Sequence, residues 1–393
     1  MYSRSLKLSL QKSFFLFGPR QVGKTTLIQE IISQEESIFY NFLLSEIFNK
    51  FAADPKLFRE EVLARDKKHR FIIVDEVQRI PDLLNEIHFL IEQDKSLIFI
   101  LSGSSARKLK RNQANLLGGR ALSYKLFPLT HQELGEDFNL KKALNYGTLP
   151  DIYKEQDKNL KIESLYSYVE TYLEEEIKAE AVVRQVGGFI RFLKFAAYEN
   201  GNTLNYSNIA RETANKAHII KEYFQILEDT LIGFWLLAYD KSTRTRLIKH
   251  PKFYFFDTGV QRAICGQLEL ELQEGTKEYG HAFEHFIVKE ILNIANYRRK
   301  KYTFSYFRTE NGAEVDLIIE TPQKKIWAIE IKSSTRPSLS SLKGLKSFAK
   351  ICNEAELICA CQSEREFQYG NIKVTPWKKL FVLLDLTDIP QNN

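Results

Sequence analysis

The segment FFLFGPRQVGKTTLIQEII, residues 14–32, constrains the fold more than any other part of the chain. An apolar run, Phe14 to Phe17, leads straight into the loop Gly18-Pro19-Arg20-Gln21-Val22-Gly23-Lys24-Thr25, and Thr26 continues into an amphipathic helix. The loop satisfies G-x-x-x-x-G-K-[ST] in full. Its glycines let the backbone curl so that N–H groups face phosphate oxygens, and the helix N-terminus adds partial positive charge. Lys24 is expected to reach the β- and γ-phosphates of ATP, and Thr25 to hold Mg²⁺. A chance glycine-rich turn is the competing reading, and the strand before it and helix after it argue against that.

Two further strands sharpen the expectation. RFIIVDEVQRIPDLL carries a buried strand ending in Asp75-Glu76, at the carboxyl end where a doubly wound sheet binds its ligand. Asp75 is expected to hold Mg²⁺ through its water shell and Glu76 to polarise the attacking water. SLIFILSGSSARKL ends in Ser102 and Ser104, either of which could contact the γ-phosphate or cap a helix. Arg120, after two glycines in LLGGRA, could stabilise transition-state charge in cis or from a neighbouring subunit, or be a plain surface arginine.

Taken in order, GPRQVGKTTL, FIIVDEVQRIPDLL, ILSGSSARKL, LLGGRA and FPLTHQEL resemble the AAA-type P-loop ATPases of an archaeal and bacterial family in the STAND-like branch. The resemblance implies the roles given above for Lys24, Thr25, Asp75 and Glu76, and favours Ser104 and Arg120 as site residues. It also implies a downstream domain of unknown function. Gly147-Thr148-Leu149-Pro150 stands where the family has a Gly-Gly-Leu-Pro-like stretch.

The length, 393 residues, suggests two or three domains, and 44% hydrophobic residues supply their cores. Lys and Arg outnumber Asp and Glu by 56 to 50, which permits a nucleic-acid partner without establishing one. The four cysteines, Cys265, Cys352, Cys359 and Cys361, have no zinc spacing and read as reduced, buried thiols. No signal peptide is apparent, and the apolar run at LIGFWLLAY is about half of the ~18 residues a membrane span needs. A cytoplasmic protein without membrane contact is expected.

The middle region reads as helical, with Glu174-Glu175-Glu176 as a solvated face. Ser207 to Glu212 and His218 to Leu227 suggest a helix-turn-helix, the second helix placing Ile219, Tyr223, Ile226 and Leu227 inward. Two strands follow, joined by the basic stretch Lys241, Arg244, Arg246, Lys249 and Lys252. The pattern suggests a winged helix that meets DNA through that loop and through Asn215, Lys216, His218 and Lys221. A packing module with a solvated loop is the alternative.

EVDLIIETPQKKIWAIEIKSS, residues 314–334, reads as a hairpin with Thr321 to Lys325 as its loop. One face is apolar: Val315, Leu317, Ile319, Trp327, Ile329 and Ile331. The other carries Glu314, Asp316, Glu330 and Lys332 at its open end. Asp316 opposite Glu330 is a cost unless a cation such as Mg²⁺ or Mn²⁺ lies between them. Lys332 could orient a water or stabilise a pentavalent phosphate, although an ordinary Lys332–Glu314 ion pair would also account for it. Upstream, Glu284 lies on an amphipathic helix with Phe283, Phe286, Ile287 and Ile291 inward. Glu284, Asp316, Glu330 and Lys332 in this context resemble the PD-(D/E)xK nuclease superfamily.

The expected architecture is α/β: an AAA-type P-loop core (1–137), a helical and winged-helix region (138–264), and an α/β nuclease-like domain (265–393). The leading expectation is an ATP-hydrolysing protein acting on nucleic acid. Alternatives are a signalling ATPase whose inactive nuclease fold serves as a binding module, and a DNA-binding regulator. A homo-oligomer is required if Arg120 works in trans.

Overall fold

The computed structural model describes residues 2–104, 107, 109, 117–173, 186–240 and 250–387. Contacts divide the chain into two units, residues 1–129 with 225–232, and residues 130–224 with 233–393. The expectations for Glu174, Glu175, Glu176, Lys241, Arg244, Arg246 and Lys249 lie outside the described residues.

In the first unit, β1 (Phe14–Phe17), β2 (Ser37–Asn41), β3 (Phe71–Asp75), β4 (Ile98–Gly103) and β5 (Leu122–Lys125) form one sheet in the order β2-β3-β4-β1-β5. All its pairings are parallel. β1, β3 and β4 are buried along their whole length. This explains why they read as continuous apolar runs rather than alternating ones. Helices α1 (Lys24–Ile31), α2 (Ser45–Ala53), α3 (Lys56–Ala64) and α4 (Leu83–Gln93) alternate with the strands. Tyr40, Phe51 and Phe58 meet in tilted and edge-to-face contacts at 5.0–5.6 Å between centroids, which ties α2 and α3 to β2. Because the strands run parallel, the ends of β1, β3 and β4 share one edge, and that edge carries the phosphate loop, Asp75 and Ser102.

The second unit is built on an eight-stranded mixed sheet. Its strands are β6 (Gly233–Ala238), β7 (Lys252–Phe255), β8 (Thr303–Arg308), β9 (Glu314–Glu320), β10 (Ile326–Lys332), β11 (Glu356–Cys361), β12 (Phe367–Tyr369) and β13 (Ile372–Pro376). Their order is β12-β13-β11-β10-β9-β8-β6-β7, and the sheet runs unbroken across residue 264. The β9–β10 hairpin has the expected register, Glu320 opposite Ile326 and Ile318 opposite Ala328. The pairing stops at Leu317 and Ile329, so the expected pair Asp316–Glu330 does not form. Both faces of the hairpin are buried, not one: Ile318 and Ala328 pack with Leu342, Leu345 and Phe348. The long helix α5 (Lys277–Tyr297) buries Phe283, Phe286, Ile287 and Ile291 completely, as its period predicts.

Helices Tyr206–Glu212 and Ala217–Asp229 occupy the expected stretch, the first capped by the Asn205 side chain. On the second, Ile220 and Phe224 are fully buried and Ile219 only partly. The Asn215 amide donates to the carbonyl of Thr213 at 2.9 Å. Lys252 does not belong to an exposed basic loop, since it is 2% exposed within β7. Cys352 is half-buried, whereas the other three cysteines are buried.

Asp257 explains two sequence features together. Its Oδ1 accepts from the N–H groups of Gly259 and Val260 at 2.9 and 3.1 Å, capping the helix Thr258–Ile264, and its Oδ2 accepts from Thr148 N at 2.8 Å. One buried carboxylate thus joins Gly147-Thr148 to Asp257-Thr258-Gly259. Gly147 has φ 74°, and a Cβ there would overlap the Asp257 carboxyl group. Gly147→Ala is expected to destabilise the protein by about 2–4 kcal/mol through strain and displacement of this carboxylate. Urea denaturation measures it, and a loss under ~0.5 kcal/mol would refute the account.

Candidate functional site

In the first unit the phosphate loop is shaped by what surrounds it. Gly18 lies so close to the backbone carbonyl of Leu126 that no Cβ fits, and Gly23 adopts φ 91°. Arg4 fastens the loop from outside, donating to Val22 O at 2.8 Å and Phe127 O at 2.6 Å. Lys24 is buried and folds back over the loop, its Nζ 2.7 Å from Gly18 O and 2.9 Å from Pro19 O. Thr25 Oγ1 donates to Asp75 Oδ2 at 2.9 Å, and Ser102 Oγ donates to Asp75 Oδ1. Two hydroxyls therefore grip the one carboxylate that closes β3. A glycine cradle, a lysine reaching across it, and a hydroxyl beside a carboxylate fit a polyphosphate and Mg²⁺.

Glu76 follows in the left-handed region, φ 59°, and is buried. Burial pushes its carboxyl above the ordinary range, with Lys24 opposing. Gln78, absent from the sequence reading, donates its amide both to Glu76 Oε2 and to Ser104 Oγ, the latter at 3.1 Å. The only sequence signal for it is its place two residues after Glu76. Arg120 is elsewhere. It precedes β5, whose first residue Leu122 pairs with Phe14 at the start of β1, so it stands at the sheet edge opposite the phosphate loop. There it pairs with Glu92.

The second unit brings Glu284, Asp316, Glu330 and Lys332 into one electrostatic cluster, with partners the sequence reading did not supply. Asp316 Oδ2 accepts from Ile331 N at 2.7 Å, which opens the hairpin where its pairing ends. Lys332 Nζ lies 2.5 Å from Glu330 Oε1, whereas Glu314 pairs with Lys252 at 2.5 Å and with Arg308 at 3.5 Å. The expected Lys332–Glu314 bridge is thus replaced. Glu284 Oε1 accepts from Tyr254 OH at 2.6 Å and lies 3.4 Å from Lys252 Nζ. Glu330 Oε2 is buried with no hydrogen-bond partner among the described residues. Beside the cluster, a cavity of about 120 Å³ is lined by Asn202, Thr203, Lys252, His281, Glu284 and Arg308, among others. Among the described residues, no three of His, Cys, Asp and Glu converge in a metal-holding group. Two carboxylates, one with an orphaned buried oxygen, still suit a hard cation.

Burial, reinforced by the charge of Glu284, pushes Asp316 up from 3.8 to about 7. Glu330 is also raised, by burial and by Asp316. Burial would lift Glu284 as well, but Lys252, the Tyr254 hydroxyl and the neighbouring His281 and Lys332 together hold it below the ordinary value. Between pH 3.8 and about 7 the folded protein keeps a proton on Asp316 that the unfolded chain gives up. Stability from this group is therefore greatest at the acid end, falls as pH rises through that interval, and is flat above it. Asp316→Asn can still accept from Ile331 N, so it is expected to gain on the order of 1 kcal/mol over the wild type at pH 8 and nothing at pH 4. Denaturant titrations at the two pH values check this, and an equal effect at both would refute it.

Comparison with known families agrees with the N-terminal geometry. An AAA domain profile matches residues 10–135. Two domains of unknown function match downstream, DUF8612 over residues 137–271 and DUF4143 over 279–380. A Mycobacterium tuberculosis protein is 24% identical over 326 residues, 83% of this chain and 71% of its own. A Haemophilus influenzae protein is 22% identical over 365 residues, 85% and 86% of the two chains. One from Methanocaldococcus jannaschii is 23% identical over 350 residues, 82% and 75%. All three are described as uncharacterized proteins. No helix among the described residues is long and apolar enough to cross a membrane. The N-terminal region therefore carries an AAA domain of the P-loop type, and the C-terminal region corresponds to a domain of unknown function.

Proposed function

We propose that the chain binds and hydrolyses ATP in its first unit. The observation that carries this reading is the grip of Thr25 and Ser102 on Asp75 beside a loop crossed by Lys24. In this reading the loop Gly18 to Thr26 takes the phosphates and Lys24 turns from the loop carbonyls to the β- and γ-oxygens. Thr25 and Asp75 would hold Mg²⁺, which would supply positive charge at the phosphates. Glu76 orients the attacking water. Gln78, itself held by Ser104, fixes the Glu76 carboxylate. Arg120, at the far edge of its own sheet, can act only on the nucleotide of a second copy, so its role requires a homo-oligomer. Lys24→Ala is expected to reduce ATP turnover at least ~100-fold, with loss of nucleotide binding. Unchanged hydrolysis by the variant would overturn the assignment.

For the second unit, we read the α5 helix and β9–β10 hairpin as a PD-(D/E)xK nuclease-like core. Support comes from the convergence of Glu284, Asp316, Glu330 and Lys332 and from the orphaned Glu330 Oε2. Asp316 and Glu330 would hold Mg²⁺ or Mn²⁺, and Lys332 would stabilise negative charge on the scissile phosphate. DNA is the substrate class this favours. The helix pair 206–229 with strands β6 and β7 is read as a winged helix, contributing Lys216, His218 and Lys221 together with the basic residues 241–249. The three-part division 1–137, 138–264 and 265–393 and a cytoplasmic location belong to the same proposal. The competing reading, a regulatory ATPase with a non-cutting binding module, is favoured by the engagement of Glu284 with Lys252 and Tyr254. Plasmid and single-stranded DNA, incubated with Mg²⁺ or Mn²⁺ with and without ATP, separate the two. Cleavage by the wild type that is lost in Asp316→Ala and Lys332→Ala supports the nuclease. ATP hydrolysis without cleavage supports the binding module.

A further inference from the structure

We propose that Lys252 is an internal counter-ion of the carboxylate cluster, which competes with a divalent cation for Glu284. The inference rests on the nuclease-like reading of the second unit and adds a residue outside its four-residue pattern. Lys252 comes from β7, while Glu284 lies on α5 and Glu314 on β9. The Lys252 side chain is 3% exposed, its Nζ lying 2.5 Å from Glu314 Oε1 and 3.4 Å from Glu284 Oε1. Such a buried ammonium cannot be a solvated surface charge; it is there because two carboxylates hold it.

The consequence for the cluster is direct. An ammonium group has three donors and no acceptor, so it cannot join a metal's coordination shell. It can only neutralise the same oxygens a metal would use, and repel the metal. Glu284 Oε1 is engaged by both Lys252 and the Tyr254 hydroxyl. A cation entering the cluster therefore finds Asp316 and Glu330, with Glu284 withheld. Glu330 Oε2, meanwhile, is buried with no hydrogen-bond partner among the described residues. Removing the ammonium leaves Glu284 with only the Tyr254 hydroxyl and Glu314 with only the more distant Arg308, a deficit of positive charge that a divalent cation relieves. Lys252 thereby sets the cluster's preference between an apo state balanced by lysine and a loaded state balanced by metal.

The test is Mn²⁺ binding to the full chain without nucleotide, by calorimetry or by the electron paramagnetic resonance of free Mn²⁺. Lys252→Met keeps the apolar stem and deletes the charge. It is expected to bind Mn²⁺ at least about tenfold more tightly than the wild type, and Glu284→Gln in the same background is expected to cancel the gain. Asp316→Asn reports any binding that arises elsewhere in the chain. Equal affinity in Lys252→Met and wild type, with Asp316→Asn abolishing both, would overturn the counter-ion role and leave the metal reading standing. No Asp316-dependent binding in either protein would overturn the metal reading and the inference with it. If Lys252→Met is unfolded without metal, recovery of a cooperative thermal transition on adding Mn²⁺ supports the proposal, and failure to recover overturns it.

Discussion

A carboxylate buried at the end of an apolar strand costs several kcal/mol unless donors or cations meet it, and both units are arranged around that requirement. In the first, two hydroxyls from different elements converge on Asp75, so α1, β3 and β4 are locked together at one carboxyl group. In the second, carboxylates from α5, β9 and β10 are met by lysines from β7 and β10 and by a tyrosine from β7. The strands around these groups are free to be almost wholly apolar because the charged ends satisfy one another.

The two sheets handle the same problem differently because their topologies differ. Parallel strands all finish at one edge, so the first unit gathers its polar residues by connectivity alone. The antiparallel hairpin of the second unit has no such edge. It makes room by parting its strands after Leu317 and Ile329, where the Asp316 side chain takes over a backbone donor. In this sheet the buried charged site lies where the strand pairing ends.

Much of this was legible in the chain. The phosphate loop, its strand and its helix follow from glycine spacing and apolar runs, and the hairpin register follows from the alternation around Thr321 to Lys325. What the sequence did not supply were partners fixed by tertiary approach. Lys252 sits among other basic residues in the sequence and looks like one more of them; only the pairing of β7 with β6 turns it inward. Gln78 is an unremarkable polar residue until the turn at Glu76 brings its amide back over Ser104. Arg120 could be assigned to either end of its sheet until the parallel pairing of β5 with β1 fixed the direction. Burial on both faces of β9 and β10 was missed for a related reason: Leu342, Leu345 and Phe348, from a later segment of the chain, cover the face that carries Ile318 and Ala328.

The bond from Ile331 N to Asp316 gives the second unit a built-in spectroscopic probe. Most amides in a sheet interior report on strand separation. This one reports on a single carboxylate, so its proton chemical shift and its exchange with solvent deuterium follow whatever charge Asp316 bears. A proton, a lysine or a metal drawing on that carboxyl group would each leave a different imprint on one backbone signal of the intact chain.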